Sequence, residues 1–290
     1  AAYKPRHCQT FLPPPPPVID TNKVILDSVV YKPANPNLKG SSISKFFVGE
    51  NYRKEWTTPL RLHVLDMGTE LGGLKPLKQG GGKQTKSLRV SDSSGKEWAL
   101  RSVQKYPDAA IPADLRKTVV KDIVAEGVSA SYPYGALSMQ TFSKAACVPY
   151  LRDRLVYIPD DPRLQRFRSD FKNTPTLMEE REPVGVKKTD NTDEVVLKIE
   201  NDNDDHVDQK AVLKARLLDM FVMDFDRHEG QWLWATRDTG KGKIYYPIPK
   251  DRDQVFFTNQ GLLPHIAANP ALVPELQGFR AHAKNIKTFN

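Results

Sequence analysis

Cysteine is nearly absent: only Cys8 and Cys147 occur in the 290 residues. Two thiols are too few for the disulfide framework of a small secreted domain and too far apart in sequence to suggest a metal pair. They exclude neither an oxidising nor a reducing compartment. Apolar runs are short as well, and none approaches the roughly 18 to 20 residues that cross a bilayer as a helix. No secretory-signal pattern is present. Basic residues outnumber acidic ones, 43 to 35, but they are scattered. Without a basic run, a zinc-finger spacing or aromatics interleaved with cations, specific nucleic-acid binding is not expected. The surplus of +8 instead suits a cleft for polyphosphate.

What is present is a globular composition on a chain long enough for one bilobal domain or two small ones. Residues 1–40 differ. The run Pro13 to Pro17, with Pro33, Pro36 and Gly40 after it, reads as an extended lead-in, either a stiff spacer or a proline-recognition ligand. The chain opens Ala1-Ala2-Tyr3 without methionine, so the expectation is a processed or excised piece of a longer protein.

Chemistry concentrates in residues 217–257, LLDMFVMDFDRHEGQWLWATRDTGKGKIYYPIPKDRDQVFF. Two acidic clusters, Asp224-Phe225-Asp226-Arg227-His228 and Asp251-Arg252-Asp253, flank an aromatic segment with turn residues at Asp238-Thr239-Gly240. A helix ending at Met223 would deliver the first cluster into a loop. A hairpin pairing Gln231 to Trp234 with Lys243 to Tyr246 would return the second cluster beside it. Three or four carboxylates would then face one spot, as Mg²⁺ held between protein carboxylates and phosphates requires. A solvated acidic turn is the ordinary explanation for such a sequence. Here the acids are embedded among Met220, Phe221, Phe225, Trp232, Trp234 and Tyr245, which implies a cleft in which a carboxylate needs a partner. Asp224 and Asp251 fit a structural role equally; His228 reads as a brace for the loop and Arg227 as an internal counter-ion.

The order Asp-Arg-His, two residues, an amide side chain, a hairpin and a further Asp resembles the active site of the atypical kinases, the CotH-like, HipA-like and phosphatidylinositol-kinase-like groups. The wording DFDRHEGQWLW with PIPKDRDQVFF is most similar to a kinase-like domain of large bacterial cell-envelope proteins, where phosphoesterase and outer-membrane barrel domains accompany it. The resemblance implies a two-lobed α+β fold with a β-rich N-lobe over residues 41–180 and a short, mainly helical C-lobe over 181–290. It implies a transfer of phosphate from ATP with Mg²⁺ or Mn²⁺ to an unknown acceptor, protein or small molecule. By position Asp226 would orient the acceptor hydroxyl, while Gln231, where this group mostly has Asn, would hold metal with Asp253 and Asp251. An exported location, in the envelope or periplasm, and flanking domains are implied as well; a cytoplasmic one stays open.

The upstream half supplies candidates for the nucleotide side. Gly80-Gly81-Gly82, followed by Lys83, Thr85 and Lys86, precedes strands expected at residues 87–91 and 97–103, joined at Ser93-Ser94-Gly95. A glycine triplet is commonly a loose loop; it also lets backbone N–H groups approach phosphate oxygens. It is neither a Walker A motif nor G-x-G-x-x-G. Arg101 and Lys105 share a strand face, Arg101 deeper in the strand, and either suits α- and β-phosphates. A helix from Pro112 to about Ser131 carries Asp122 and Glu126, which could pair with those cations or with ordinary surface partners. The strand at 176–181, which includes Glu179, falls where a kinase-like fold places the hinge that meets adenine. Residues 187–205 are polar and read as a helix-capping surface segment, and those after Phe257 as short helical pieces. The rivals are a non-catalytic pseudokinase acting as scaffold and a metal-dependent hydrolase using the same carboxylates on water.

Overall fold

The computed structural model describes residues 29–80, 84–107, 119–183, 186, 188–268 and 277–282. Seven strands form a mixed sheet: β1 (Val29–Lys32), β2 (Leu60–Val64), β3 (Lys75–Gly80), β4 (Ser87–Ser91), β5 (Glu97–Ser102), β6 (Asp153–Ile158) and β7 (Thr174–Glu180). Their spatial order is β1-β2-β6-β7-β5-β4-β3, and only β2 and β6 run parallel. Period-two burial builds it: in β4, Leu88 and Val90 are buried while Ser87, Arg89 and Ser91 are not. Leu88, Val90, Leu100, Ile158, Phe171 and Met178 then join in one core.

A second sheet contains β8 (His206–Val207), β9 (Trp232–Asp238) and β10 (Lys243–Pro249), in the order β8-β10-β9. The hairpin arises as its turn residues imply, with Gly240 at a φ of +82° between the strands. Eight helices accompany the sheets among the described residues: α1 (Ser42–Val48), α2 (Arg53–Thr57), α3 (Val119–Gly127), α4 (Gly135–Ala146), α5 (Arg168–Phe171), α6 (Thr192–Asn201), α7 (Gln209–Val222) and α8 (Leu262–Ala267). Met139 of α4, Leu218 and Val222 of α7, and Trp232, Trp234 and Tyr245 of the hairpin form the second core. The architecture is α+β. No helix of the described residues is long and apolar enough to cross a membrane.

Three segments depart from the sequence reading. Residues 29–40 are not all lead-in, because Val29–Lys32 pairs antiparallel with β2; Val29, Val30 and Tyr31 suit a strand, and the edge of β2 satisfies their backbone groups. Lys75–Gly80, KPLKQG, lacks apolar alternation yet forms edge strand β3 against β4, with an irregularity between Pro76 and Lys78. The polar stretch after 187 contains helix α6, which buries only Val195 and starts at an Asn191–Glu194 capping box. Helix α3 appears within the expected 112–131 range, its expected start lying outside the described residues. Cys147, which closes α4 at a φ of +53°, is disulfide-bonded.

Candidate active site

Helix α7 stops because Met223 takes a left-handed φ of +54° and its N–H bonds to Asp219 and Met220 carbonyls. The chain then turns inward at Asp224, a fully buried residue whose Oδ2 accepts from Arg227 Nη2 at 2.6 Å. Arg227 also donates to the carbonyls of Gln231 (3.1 Å) and Lys250 (2.6 Å), clamping the first acidic loop to the end of β10. His228 accepts from the Gly230 N–H at 3.1 Å, so it braces the loop. The counter-ion for much of this is Asp219, fully buried on α7, which receives Arg216, Arg227 and Arg252 at 3.1, 3.1 and 2.6 Å. Removing one member would leave buried charge uncompensated, a loss of about 3–5 kcal/mol. The sequence reading missed Asp219; its signal was an acid one residue beyond Leu218 on the apolar face shared with Ala215 and Val222.

Asp226, by contrast, stays at the surface. It is exposed, and its Oδ2 accepts from Gln231 Nε2 at 3.0 Å. The partial burial of its carboxylate raises its pKa, the Asp253 charge raises it further, and the Gln231 hydrogen bond opposes both. The amide oxygen of Gln231 faces inward instead, accepting from Arg227 at 3.2 Å. The second cluster meets the large sheet. Arg101 Nη1 of β5 lies 3.3 Å from Asp251 Oδ1, and Lys105 Nζ lies 3.0 Å from Asp253 Oδ2. Arg101 Nε is also 3.4 Å from Glu179 Oε1 on β7. Glu179 above all, then Asp251, holds the Arg101 guanidinium above its ordinary pKa. Asp251 sits at a left-handed φ of +57°, a conformation a non-glycine residue adopts at a cost of about 1–3 kcal/mol.

Arg101 and Asp251 separate two adjoining hollows. The inner one, of about 260 Å³, is lined by Gly80, Arg89, Ala99, Arg101, Glu179, Arg181, Leu233, Lys250 and Asp251 among others. The other adds Lys105, Tyr132 and Asp253. Behind the inner cleft lies Asp153, register partner of Glu179 and absent from the sequence candidates. Its Oδ1 is buried without a hydrogen bond, and burial, then Glu179, pushes its pKa well above the ordinary value. Burial also raises Glu179, opposed by Arg101, and lowers Lys250, assisted by Arg101.

The remaining sequence candidates divide. Gly80 ends β3 at the cleft, and Gly81, Gly82 and Lys83 lie outside the described residues. Lys86 is tied to Asp170 at 2.7 Å. Glu126 does not meet Arg101 or Lys105; it pairs with buried Arg53 of α2 and accepts from Ser44 at 2.7 Å. Asp122 is exposed. Helix α3 therefore turns its acids toward α1, α2 and solvent, and the carboxylates facing the two basic residues come from β7 and from the loop after β10. Asp224 is likewise withdrawn into the arginine network, leaving Asp226, Asp251 and Asp253 in place of four converging acids. Among the described residues no group of three or more His, Cys, Asp or Glu is arranged to hold a metal unaided. The donor set fits a cation completed by phosphates, since Asp251 and Asp253 keep 35% and 33% of their side chains exposed while Asp224 has none. No family model matches this chain and no curated protein matches it, so the functional reading rests on these residues and their geometry.

Proposed function

We propose that the protein is a divalent-metal-dependent phosphotransferase of the atypical-kinase type, moving a phosphoryl group from a nucleoside triphosphate, ATP by the resemblance, to a hydroxyl of an unidentified acceptor. The observation that carries the reading is the meeting of Arg101 with Asp251 and Lys105 with Asp253, beside a loop presenting Asp226. Support comes also from the strand order β3-β4-β5-β7-β6, in which a glycine-ended hairpin, a basic strand and a hinge-like strand are neighbours.

In this reading Asp226 accepts or orients the acceptor proton; its raised pKa makes it a stronger proton acceptor than an ordinary carboxylate. Arg101 and Lys105 would exchange carboxylates for phosphate oxygens, leaving Asp251 and Asp253 as the residues that would hold Mg²⁺ or Mn²⁺. The cation would neutralise charge developing on the transferred group. Gln231 positions Asp226 through its amide nitrogen. Asp226→Ala should bind metal-nucleotide within about threefold of the parent while transfer or nucleotide turnover falls by at least about 10²-fold. Retained turnover would overturn the assignment.

A non-catalytic reading has one observation in its favour: the Gln231 oxygen that the kinase resemblance assigns to metal is taken by Arg227. Nucleotide binding without transfer to any of a panel of acceptors, or to water, would favour it.

A further inference from the structure

Helix α7 is apolar on two faces. Ala215, Leu218 and Val222 are buried, while Leu213, Leu217 and Phe221, at i, i+4 and i+8 on the other face, stand 60%, 55% and 67% exposed. The ridge continues across α4. Phe221 meets Phe142 at 6.3 Å between ring centroids, Phe142 meets Phe256 at 5.7 Å and Phe256 meets Phe279 at 5.2 Å, with Phe142 and Phe279 exposed like Phe221. A contiguous apolar surface of this kind marks a binding face, where a lone exposed leucine would not.

The charges these helices show to solvent have one sign. Lys210 and Lys214 share the outer face of α7, each three residues before a leucine of the stripe, and both are exposed. Helix α4 has no acidic residue and exposes Lys144, while the one acid of α7, Asp219, is fully buried. Lysine set into an apolar face distinguishes the partner. Protein interfaces deplete lysine at their centres. At a bilayer, leucine and phenylalanine tips pass below the headgroups while the lysine stem lies along the apolar surface and its ammonium stays among lipid phosphates. We infer that the face built by α7 and Phe142 seats the protein on a bilayer bearing anionic phospholipid headgroups. The protein would lie on that surface, since no helix of the described residues is long and apolar enough to cross it. The inference goes beyond the phosphotransferase reading and stands without it. Because α7 leads at Met223 into the loop carrying Asp226, a seated protein would present the proposed site to acceptors at the membrane surface.

Co-sedimentation of the whole chain with vesicles tests it, using phosphatidylcholine alone and phosphatidylcholine with about one-third phosphatidylglycerol. The variants are Leu217→Gln with Phe221→Gln, Lys210→Glu with Lys214→Glu, and a control of equal charge change at the tip of the β9–β10 hairpin, Lys241→Glu with Lys243→Glu. All of these side chains are exposed, and circular dichroism verifies folding. The parent should bind the anionic vesicles at least about tenfold more tightly than the neutral ones. Each α7 pair should lower that affinity about tenfold or more, and the hairpin pair by less than about threefold. No binding by the folded parent would overturn the inference. So would an equal loss in the hairpin pair, or binding that survives Leu217→Gln with Phe221→Gln, since either result is adsorption by net charge alone. Polyglutamate bound as tightly as the vesicles through the same residues would assign the face to an acidic protein. Self-association of the parent, abolished by the Leu217 and Phe221 changes in sedimentation equilibrium, would assign it to a second copy. Both overturn the inference, and none of these results bears on phosphoryl transfer in the cleft.

Discussion

Asp224 and Asp226 stand two residues apart and meet opposite environments. Asp224 is enclosed with Arg227 and Arg252 nearby, one carboxylate oxygen lacking a hydrogen bond, and burial pushes its pKa up to about 6. A carboxyl whose folded pKa exceeds its unfolded value near 3.8 binds its proton more tightly in the folded state. Stability from this group is therefore present below about pH 4 and declines as pH rises through about 6. Asp224→Asn, which keeps the shape and never ionises, should cost stability at pH 4.5 and cost less at pH 7; urea unfolding of both proteins at the two pH values measures the difference. A loss that grows with pH would show that the Arg227 pair outweighs burial. Such partition between acids was only partly legible in the sequence. The embedding of both clusters in aromatic residues indicated partly dehydrated carboxylates, but which one turns inward depends on Asp219 and Arg252 arriving from 33 residues apart.

At the scale of elements, turn and cap chemistry explains both what sequence reading locates and what it misses. The β9–β10 hairpin, strands β4 to β7 and the end of α7 follow from alternation and from local breakers such as Gly95 and Gly240. Helix α6 and strand β3 were hidden because their stability is not written in an apolar face. One depends on its cap, the other on a partner strand. Asn191→Ala removes the side-chain acceptor 2.8 Å from the Glu194 N–H and should cost about 1 kcal/mol, read as a lower urea midpoint with an unchanged slope. No change would mean that Trp234 packing and the Asp190–Trp234 backbone pair hold the segment without the cap. Helix α3 teaches a related lesson: helical periodicity locates a helix but not the azimuth of its acids, and Glu126 belongs to the Arg53 anchor.

Across the whole molecule, the ion pairs Arg101–Asp251 and Lys105–Asp253 link the seven-stranded sheet to the loop that leaves the second sheet. They hold the opposed charges of the cleft together; in the proposed function a metal-bound polyphosphate, which carries both signs, would separate them. Asp253→Asn takes away one candidate ligand and leaves buried Lys105 without its carboxylate. Metal-dependent nucleotide affinity should then fall by about tenfold or more, whereas the metal-independent part should hold or rise, because Lys105 becomes available to phosphate. Calorimetry with and without Mn²⁺ separates the two terms. An unchanged metal-dependent affinity would move the ligand role to Asp251.

The amino-acid order alone determined most of the local elements and pointed to the proposed class of chemistry. Alternation, breakers and the spacing of two acidic clusters about a hairpin are short-range properties, and they place Asp226, Asp251 and Asp253 on one side of the second sheet. Tertiary structure decided which charges remain available. Burial and pairing depend on side chains distant in sequence: Asp219 against Arg252, Arg53 against Glu126, Arg101 against Glu179 and Asp251. The free energy of a charge is set by its solvent exposure and its nearest opposite charge, and neither can be read from its neighbours along the chain.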